Sequence, residues 1–419
     1  MVQAYTCTKD REGNKVTKEE MEVTMKPALV KRRRKLLIGL LLLGLLTLLT
    51  PATASADNHS VPETNAESVS LIDVDSGRIL YTQQGDKEMR IASLTKVMTA
   101  IIAIEHGNLE DRVKVSARAY GKEGSSIYLR LGEEMSLHHM LYGLMLRSGN
   151  DAATAIAEHI GGSLEGFVFM MNQKAQELGM NHTSFKNPHG LDEKEHYSSA
   201  NDMALLAAYA LKNPIFKDIV KTKKISVPNP YEQWNHVWYN KNRMLSMYEG
   251  ADGVKTGYTK LAHRTLITSA TRDGRQLAVV TLNDGTDWAD HAKLFDFGFE
   301  YFLPHTLVKR EAPLKGIPYV PASSFTYPLQ KDEHRHIKAN ITKTNADTVD
   351  YKLGERGWLT FTLNGTSIGS VMLVEPDSAR LHRDEHSSST FSFTKKGNVS
   401  ATAGYWYTLK TVVEALFTF

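Results

Sequence analysis

Three short motifs hold most of the reactive side chains of this sequence. Ser93 and Lys96 stand three residues apart in RIASLTKVMTAIIAIEHG, Ser148 and Asn150 flank a glycine in LMLRSGNDAATAIAEHIGG, and Lys255, Thr256 and Gly257 are consecutive in GADGVKTGYT. A serine attacks a carbonyl efficiently only with a base beside it, and a lysine can be that base only after losing its charge. Burial and a second nearby cation both favour that loss. Residues i and i+3 of a helix lie about 5–6 Å apart at Cβ, so a helix beginning near Ser93 brings it beside Lys96. Its N-terminus, with unpaired N–H groups, would favour developing negative charge. Ser93 could equally be the cap of an ordinary buried helix, Gly149 the left-handed close of another, and Gly257 a bulge. Ordinary usage places about one or two Ser-x-x-Lys matches in a chain of this length, and the second one here, Ser392 to Lys395, alternates like a strand. A strand would send that serine and lysine to opposite faces.

The elements that must position these motifs are legible from periodicity. SVSLIDVDSGRILYTQQG, residues 68–85, alternates about Asp75-Ser76-Gly77 and predicts a hairpin ahead of the Ser93 helix. Val97, Met98, Ile101, Ile102 and Ile104 then repeat with helical spacing up to Gly107. Helical patterns follow at 137–147, 152–160, 164–178 and 201–211, interrupted by the loop 181–199, too long for a mere connection and containing His189. Strands return at 264–271 and 275–282 about Asp273-Gly274, a strong hairpin signal. The expected fold class is α/β in the α+β sense, a sandwich of antiparallel sheet and helices over 57–303. Short alternating segments from residue 304 to about 395, with a turn at Asn364-Gly365, predict a small all-β domain.

The two ends differ from the rest. Basic residues 31–35, the apolar run Leu36 to Leu49, and Ala54-Ser55-Ala56 have the form of a secretory leader, with a compact start at Met25 and cleavage after Ala56. The only cysteine, Cys7, precedes that cut, which excludes a thiol nucleophile or a disulfide. Residues 1–56 carry 10 of the 50 Lys and Arg but 5 of the 47 Asp and Glu, leaving the remainder at −2, so the overall +3 argues nothing for nucleic acid. Histidine pairs lack zinc-site spacing, and no metal or other cofactor is expected. In the last segment, 396–419, Trp406, Leu409, Val413, Leu416 and Phe417 can share one helix face. A helix docked on its own domain and one lying on a membrane surface both fit, the aromatic residues favouring the membrane.

Ser-x-x-Lys, Ser-x-Asn and Lys-Thr-Gly in this order, with GSSIYLRLGEEMSLHHMLYGLMLRSGNDAA and SFKNPHGLDEKEHYSSANDMALLA around them, resemble the low-molecular-mass penicillin-binding proteins, in particular the D-alanyl-D-alanine carboxypeptidases. The likeness covers about Ser68 to Phe302. It implies a serine β-lactamase/transpeptidase-like fold and an acyl-enzyme on Ser93, with Lys96 as base. Ser148 would relay a proton with Lys255 to the leaving amine, and Asn150 would hold the substrate amide. The amides of Ser93 and Tyr258 would form an oxyanion hole, Gly257 would let the substrate approach the sheet edge, and Thr256 and Arg275 would hold the terminal carboxylate. His263 and Arg264 stand where relatives usually show small or aromatic residues. The implied partners are peptidoglycan stem peptides, β-lactams as acylating inhibitors, and the membrane surface. Three other activities stay open: a D,D-endopeptidase, a surface penicillin binder with little turnover, and a β-lactamase. The last would need a Glu-x-x-Leu-Asn loop, which is missing.

Overall fold

The computed structural model describes residues 61–229 and 231–382. The segment read as a leader, Cys7, the second Ser-x-x-Lys and the segment read as a terminal amphipathic helix lie outside the described residues. No helix among the described residues is long and apolar enough to cross a membrane.

The chain opens with the expected hairpin, β1 (Ser68–Asp73) and β2 (Ile79–Gln83), and a 3-10 turn, Ala92–Thr95, runs directly into helix α1 (Lys96–His106). A short ladder of β3 (Arg112–Lys114) and β4 (Glu134–Ser136) leads into α2 (Leu137–Tyr142), then α3 (Asn150–Gly161), α4 (Leu164–Glu177), α5 (Ala200–Ala210) and α6 (Pro214–Lys221). A second hairpin, β5 (Lys224–Val227) and β6 (His236–Tyr239), and the single turn α7 (Met244–Met247) precede the long strands β7 (Ala251–Thr259), β8 (His263–Arg272) and β9 (Arg275–Leu282). Helix α8 (Asp287–Tyr301) follows. Asp273 and Gly274 both have positive φ, 50° and 76°, as the two-residue turn between β8 and β9 requires.

All pairings of the main sheet are antiparallel, in the order β2-β1-β9-β8-β7, so β7 is an edge strand. Alternation splits each strand between two apolar layers. Leu277 and Val279 pack with Leu294 and Phe295 of α8, whereas Ala278, Val280 and Leu282 face the larger cluster that encloses α1. Val97, Met98, Ile101 and Ile102 of α1 are fully buried. Their burial stabilises by about 6–12 kcal/mol together, enough to keep the neighbouring Lys96 inside the core.

The 137–147 pattern is one run of two kinds of turn. The α-helix ends at Tyr142 and a π-helical turn, Gly143–Arg147, completes it. A Cβ on Gly143 would stand 2.6 Å from Ile127 Cδ1, so the glycine lets the 123–129 segment lie against the widened turn. Beyond Phe302 the chain forms two further antiparallel sheets. One pairs β10 (Leu303–Val308) with β12 (Phe325–Leu329). The other has β11 (Val320–Pro321), β15 (Thr366–Val374), β14 (Gly357–Leu363) and β13 (Ile337–Lys343) in that order. Asn364 and Gly365, φ 51° and 83°, turn β14 into β15 as anticipated.

Candidate active site

Ser93 lies in the 3-10 turn and caps nothing. The residue at the α1 cap position is Thr95, and neither the turn nor the helix has a side-chain cap bond. The turn is held from outside. Ala92 adopts φ 48°, Thr95 Oγ1 donates to the Ala92 carbonyl at 2.9 Å, and His196 Nε2 lies 2.9 Å from the same hydroxyl. Because His196 Nδ1 accepts from the Lys186 amide, its Nε2 carries the proton and donates. Burial and nearby cations lower the His196 pKa to about 4, in keeping with this neutral form. Gly190, at φ 83°, sits so close to the Ala92 carbonyl that any Cβ would collide with it. The long 181–199 loop thus clamps the serine turn.

Lys96 Nζ has three neighbours: Ser93 Oγ at 3.0 Å, Asn150 Oδ1 at 2.6 Å and the His189 carbonyl at 2.6 Å. Burial, then the charges of Lys255 and Lys241, hold its pKa well below the usual lysine range, against a smaller opposing effect of Asp151. A neutral amine has two N–H groups and one lone pair. The two carbonyl-type oxygens accept both protons, and the lone pair is left for the Ser93 hydroxyl. Lys255 is also buried, donates to the Thr256 carbonyl at 2.7 Å, and has its pKa lowered to about 7 by burial and by Lys241.

Ser148 ends the π turn in the left-handed conformation, φ 66° and ψ 33°, while Gly149 is extended. The left-handed residue is the serine, not the glycine. Among the described residues no hydrogen bond joins Ser148 to Lys255, so the expected relay is not preformed. Asn150 donates through Nδ2 to the Glu123 carbonyl at 2.6 Å. Its neighbour Asp151 accepts from Ser126 Oγ and from the amides of Ile127 and Leu129, which folds the 123–129 segment over the motif. On the sheet side, a Cβ at Gly257 would stand 3.1 Å from the Ser93 amide nitrogen and collide with Thr265 Oγ1. Only glycine lets β7 pass this close to the serine turn. Tyr258, the next residue, is 65% exposed at the mouth. Thr256 is partly buried on the same edge strand.

Arg275 is not in this site. It begins β9 paired with Arg272, while Gly257 pairs with Thr265, itself opposite Leu282 at the other end of β9. Seven residues of strand separate the two levels, roughly 23 Å at 3.3 Å per residue. Its guanidinium is buried, donating from Nε to Asp73 Oδ2 at 2.8 Å and from Nη1 to the Gly298 and Phe302 carbonyls. The expectation that it binds a substrate carboxylate is corrected: Arg275 ties β9 to β1 and to the end of α8.

Several groups that shape the site had no sequence signal. Lys241, whose Nζ lies 3.3 Å from Ser125 Oγ, adds the third cation. The carbonyls of His189 and Glu123 act through the backbone, which carries no residue identity. The His189 ring is buried and neutral, its pKa lowered to about 2 by burial and Lys96.

The D-alanyl-D-alanine carboxypeptidase family model matches residues 54–286, more than half of the chain and all three motifs. The chain belongs to that family. It is therefore a serine peptidase of the penicillin-binding kind. The D-alanyl-D-alanine carboxypeptidase DacF of Bacillus subtilis is 40% identical over 292 residues, covering 66% of this chain and 74% of that one. DacC of Escherichia coli is 32% identical, covering 77% and 86%. The crystal structure of penicillin binding protein 5 from Haemophilus influenzae superposes with a TM-score of 0.61 at 27% identity, covering 75% of this chain and 97% of that one. This solved neighbour shares the sheet-and-helix fold.

Proposed function

We propose that the chain removes the terminal D-alanine from peptidoglycan stem pentapeptides through an acyl-enzyme on Ser93. The observation that carries this reading is the coordination of Lys96, which leaves an unprotonated amine with only Ser93 to receive from. In this mechanism Ser93 Oγ bonds to the carbonyl carbon of the penultimate D-alanine while its proton passes to Lys96 Nζ. The oxyanion falls between the Ser93 and Tyr258 amides, each such donor being worth about 2.7–4 kcal/mol. The C–N bond breaks as the leaving amine takes a proton by way of Ser148 and Lys255, and water then hydrolyses the ester. Asn150, which holds Lys96, also faces the substrate amide. A β-lactam acylates Ser93 by the same first step. D-Alanine release from a synthetic pentapeptide, compared with cleavage of a cross-linked dimer, tests the reading. Rapid release from the pentapeptide with slow cleavage of the dimer is expected. The reverse order makes the chain an endopeptidase, and labelling by penicillin without release from either makes it a binder.

The substrate places the catalytic region outside the cytoplasm. We propose export by the leader ending at Ala56 and attachment to the extracytoplasmic face of the cytoplasmic membrane by the amphipathic helix read around residues 405–419. Such a helix buries one apolar face at about 25 cal/mol per Å², so attachment is reversible. Deleting residues 404–419 should move the protein to the soluble fraction with pentapeptide turnover unchanged. A truncated protein that stays with the membrane would assign the anchor to Leu36–Leu49 instead.

A further inference from the structure

The loop at residues 181–199 converges on one peptide group, that joining Ala92 to Ser93. The direction of every hydrogen bond in between is fixed from both ends. At one end the Lys186 backbone amide can only donate, and it donates to His196 Nδ1 at 3.0 Å. At the other the Ala92 carbonyl can only accept, and it takes the single proton of the Thr95 hydroxyl at 2.9 Å. Thr95 Oγ1 must then accept from His196 Nε2, 2.9 Å away. Both side chains are buried, and Phe185 packs edge-on against the imidazole with ring centres 5.8 Å apart, so the ring has one place to be.

What this chain of bonds holds is a strained residue. Ala92 has φ 48°, a left-handed conformation that a residue with a side chain keeps only where its surroundings over-determine it. A trans peptide is rigid, its carbonyl and its N–H point in opposite directions, and fixing one aims the other. The Ala92 carbonyl is pinned between Thr95 and Gly190. The Ser93 N–H therefore points away from them, on the side of β7, where its nitrogen stands 3.1 Å from the place of a Cβ on Gly257. Among the described residues nothing accepts from that N–H, as expected in the first turn of a helix.

Building on the acyl-enzyme reading, in which this amide is half of the oxyanion hole, we propose that His196 and Thr95 are positioning residues that aim the Ser93 N–H at the oxyanion. Neither touches the substrate. Their effect falls on the tetrahedral states, where the oxyanion exists, and spares the binding of the planar substrate.

The test uses the whole chain and reads pentapeptide turnover, the rate of acylation by penicillin, and the affinity of an acylamino boronic acid, whose adduct with Ser93 is tetrahedral and places an oxygen in the hole. Wild-type D-alanine release is scored first and judges the carboxypeptidase reading by itself. The penicillin and boronate arms judge the aiming of the amide whichever way that falls. Thr95→Val keeps the shape and removes the hydroxyl. It should slow turnover and acylation about 10- to 100-fold, short of the roughly 10²–10³-fold cost of losing a donor outright. Acylation and hydrolysis both pass through an oxyanion and slow alike, so KM should change less than about 2-fold while boronate affinity falls by the same factor as kcat/KM. Thr95→Ser keeps the hydroxyl and should stay within about 3-fold of the wild type. His196→Gln carries an N–H about as far from the backbone as Nε2 and should recover most of the activity, whereas His196→Asn reaches only the Lys186 amide and should behave like Thr95→Val. This second pair decides the matter alone if Thr95→Val does not fold. A lowered unfolding midpoint with boronate affinity intact overturns the proposal. So does a loss in KM rather than kcat, or Thr95→Ser and His196→Gln impaired as much as Thr95→Val and His196→Asn.

Discussion

Ser93→Ala abolishes covalent labelling by penicillin, whereas Ser392→Ala leaves it at the wild-type level. Ser93 has the buried Lys96 amine at 3.0 Å, and the other two neighbours of that amine are carbonyl-type acceptors, which leaves a lone pair for the serine proton. The alanine variant loses the one atom that can form the ester, and the rest of the turn, held through Thr95, His196 and Gly190, is untouched. The folded state should therefore survive while the stoichiometry of bound label falls from one to zero. Gel fluorography of both variants with a labelled penicillin decides it. Label on Ser93→Ala at the wild-type level would remove Ser93 from the chemistry.

The second large effect belongs to Lys96. Lys96→Met keeps the buried volume but removes the base, and acylation should slow by about 10²–10⁴-fold. The Asn150 and His189 carbonyl groups lose their donor, at about 1–3 kcal/mol each, so the unfolding midpoint drops as well. The working state has Lys96 neutral and Lys255 charged, and the rate should be bell-shaped in pH. The acid limb reports Lys96: protonation as pH falls removes the base. The alkaline limb falls near 7, where Lys255 loses the proton it passes on. Lys241 lowers both pKa values by its charge, so Lys241→Met should move both limbs to higher pH. Stopped-flow acylation across pH measures this. A profile that Lys241→Met leaves in place would show that Lys241 does not tune the pair.

What the sequence determined by itself is what depends on neighbours along the chain. Helical spacing after Ser93 brought the serine to Lys96, since three residues of helix set that separation whatever else folds around it. Turn chemistry did the same for Asp273-Gly274 and Asn364-Gly365, because only residues tolerant of positive φ make such a hairpin. Alternation told which residues of 264–271 and 275–282 share a face. It could not tell which end of the strand lies at the serine. That depends on β8 running away from the site and β9 running back, and this is why Arg275 fell at the wrong end. The charge state of Lys96 was equally out of reach, because it follows from the burial of α1 and from two lysines at positions 241 and 255 that approach only in the folded chain. The carbonyls of His189 and Glu123 belong to the backbone, identical at every residue, so no sequence pattern could mark them. Packing alone, through a glycine that admits β7 to the serine and another that admits a loop to Ala92, decided which of these groups meet.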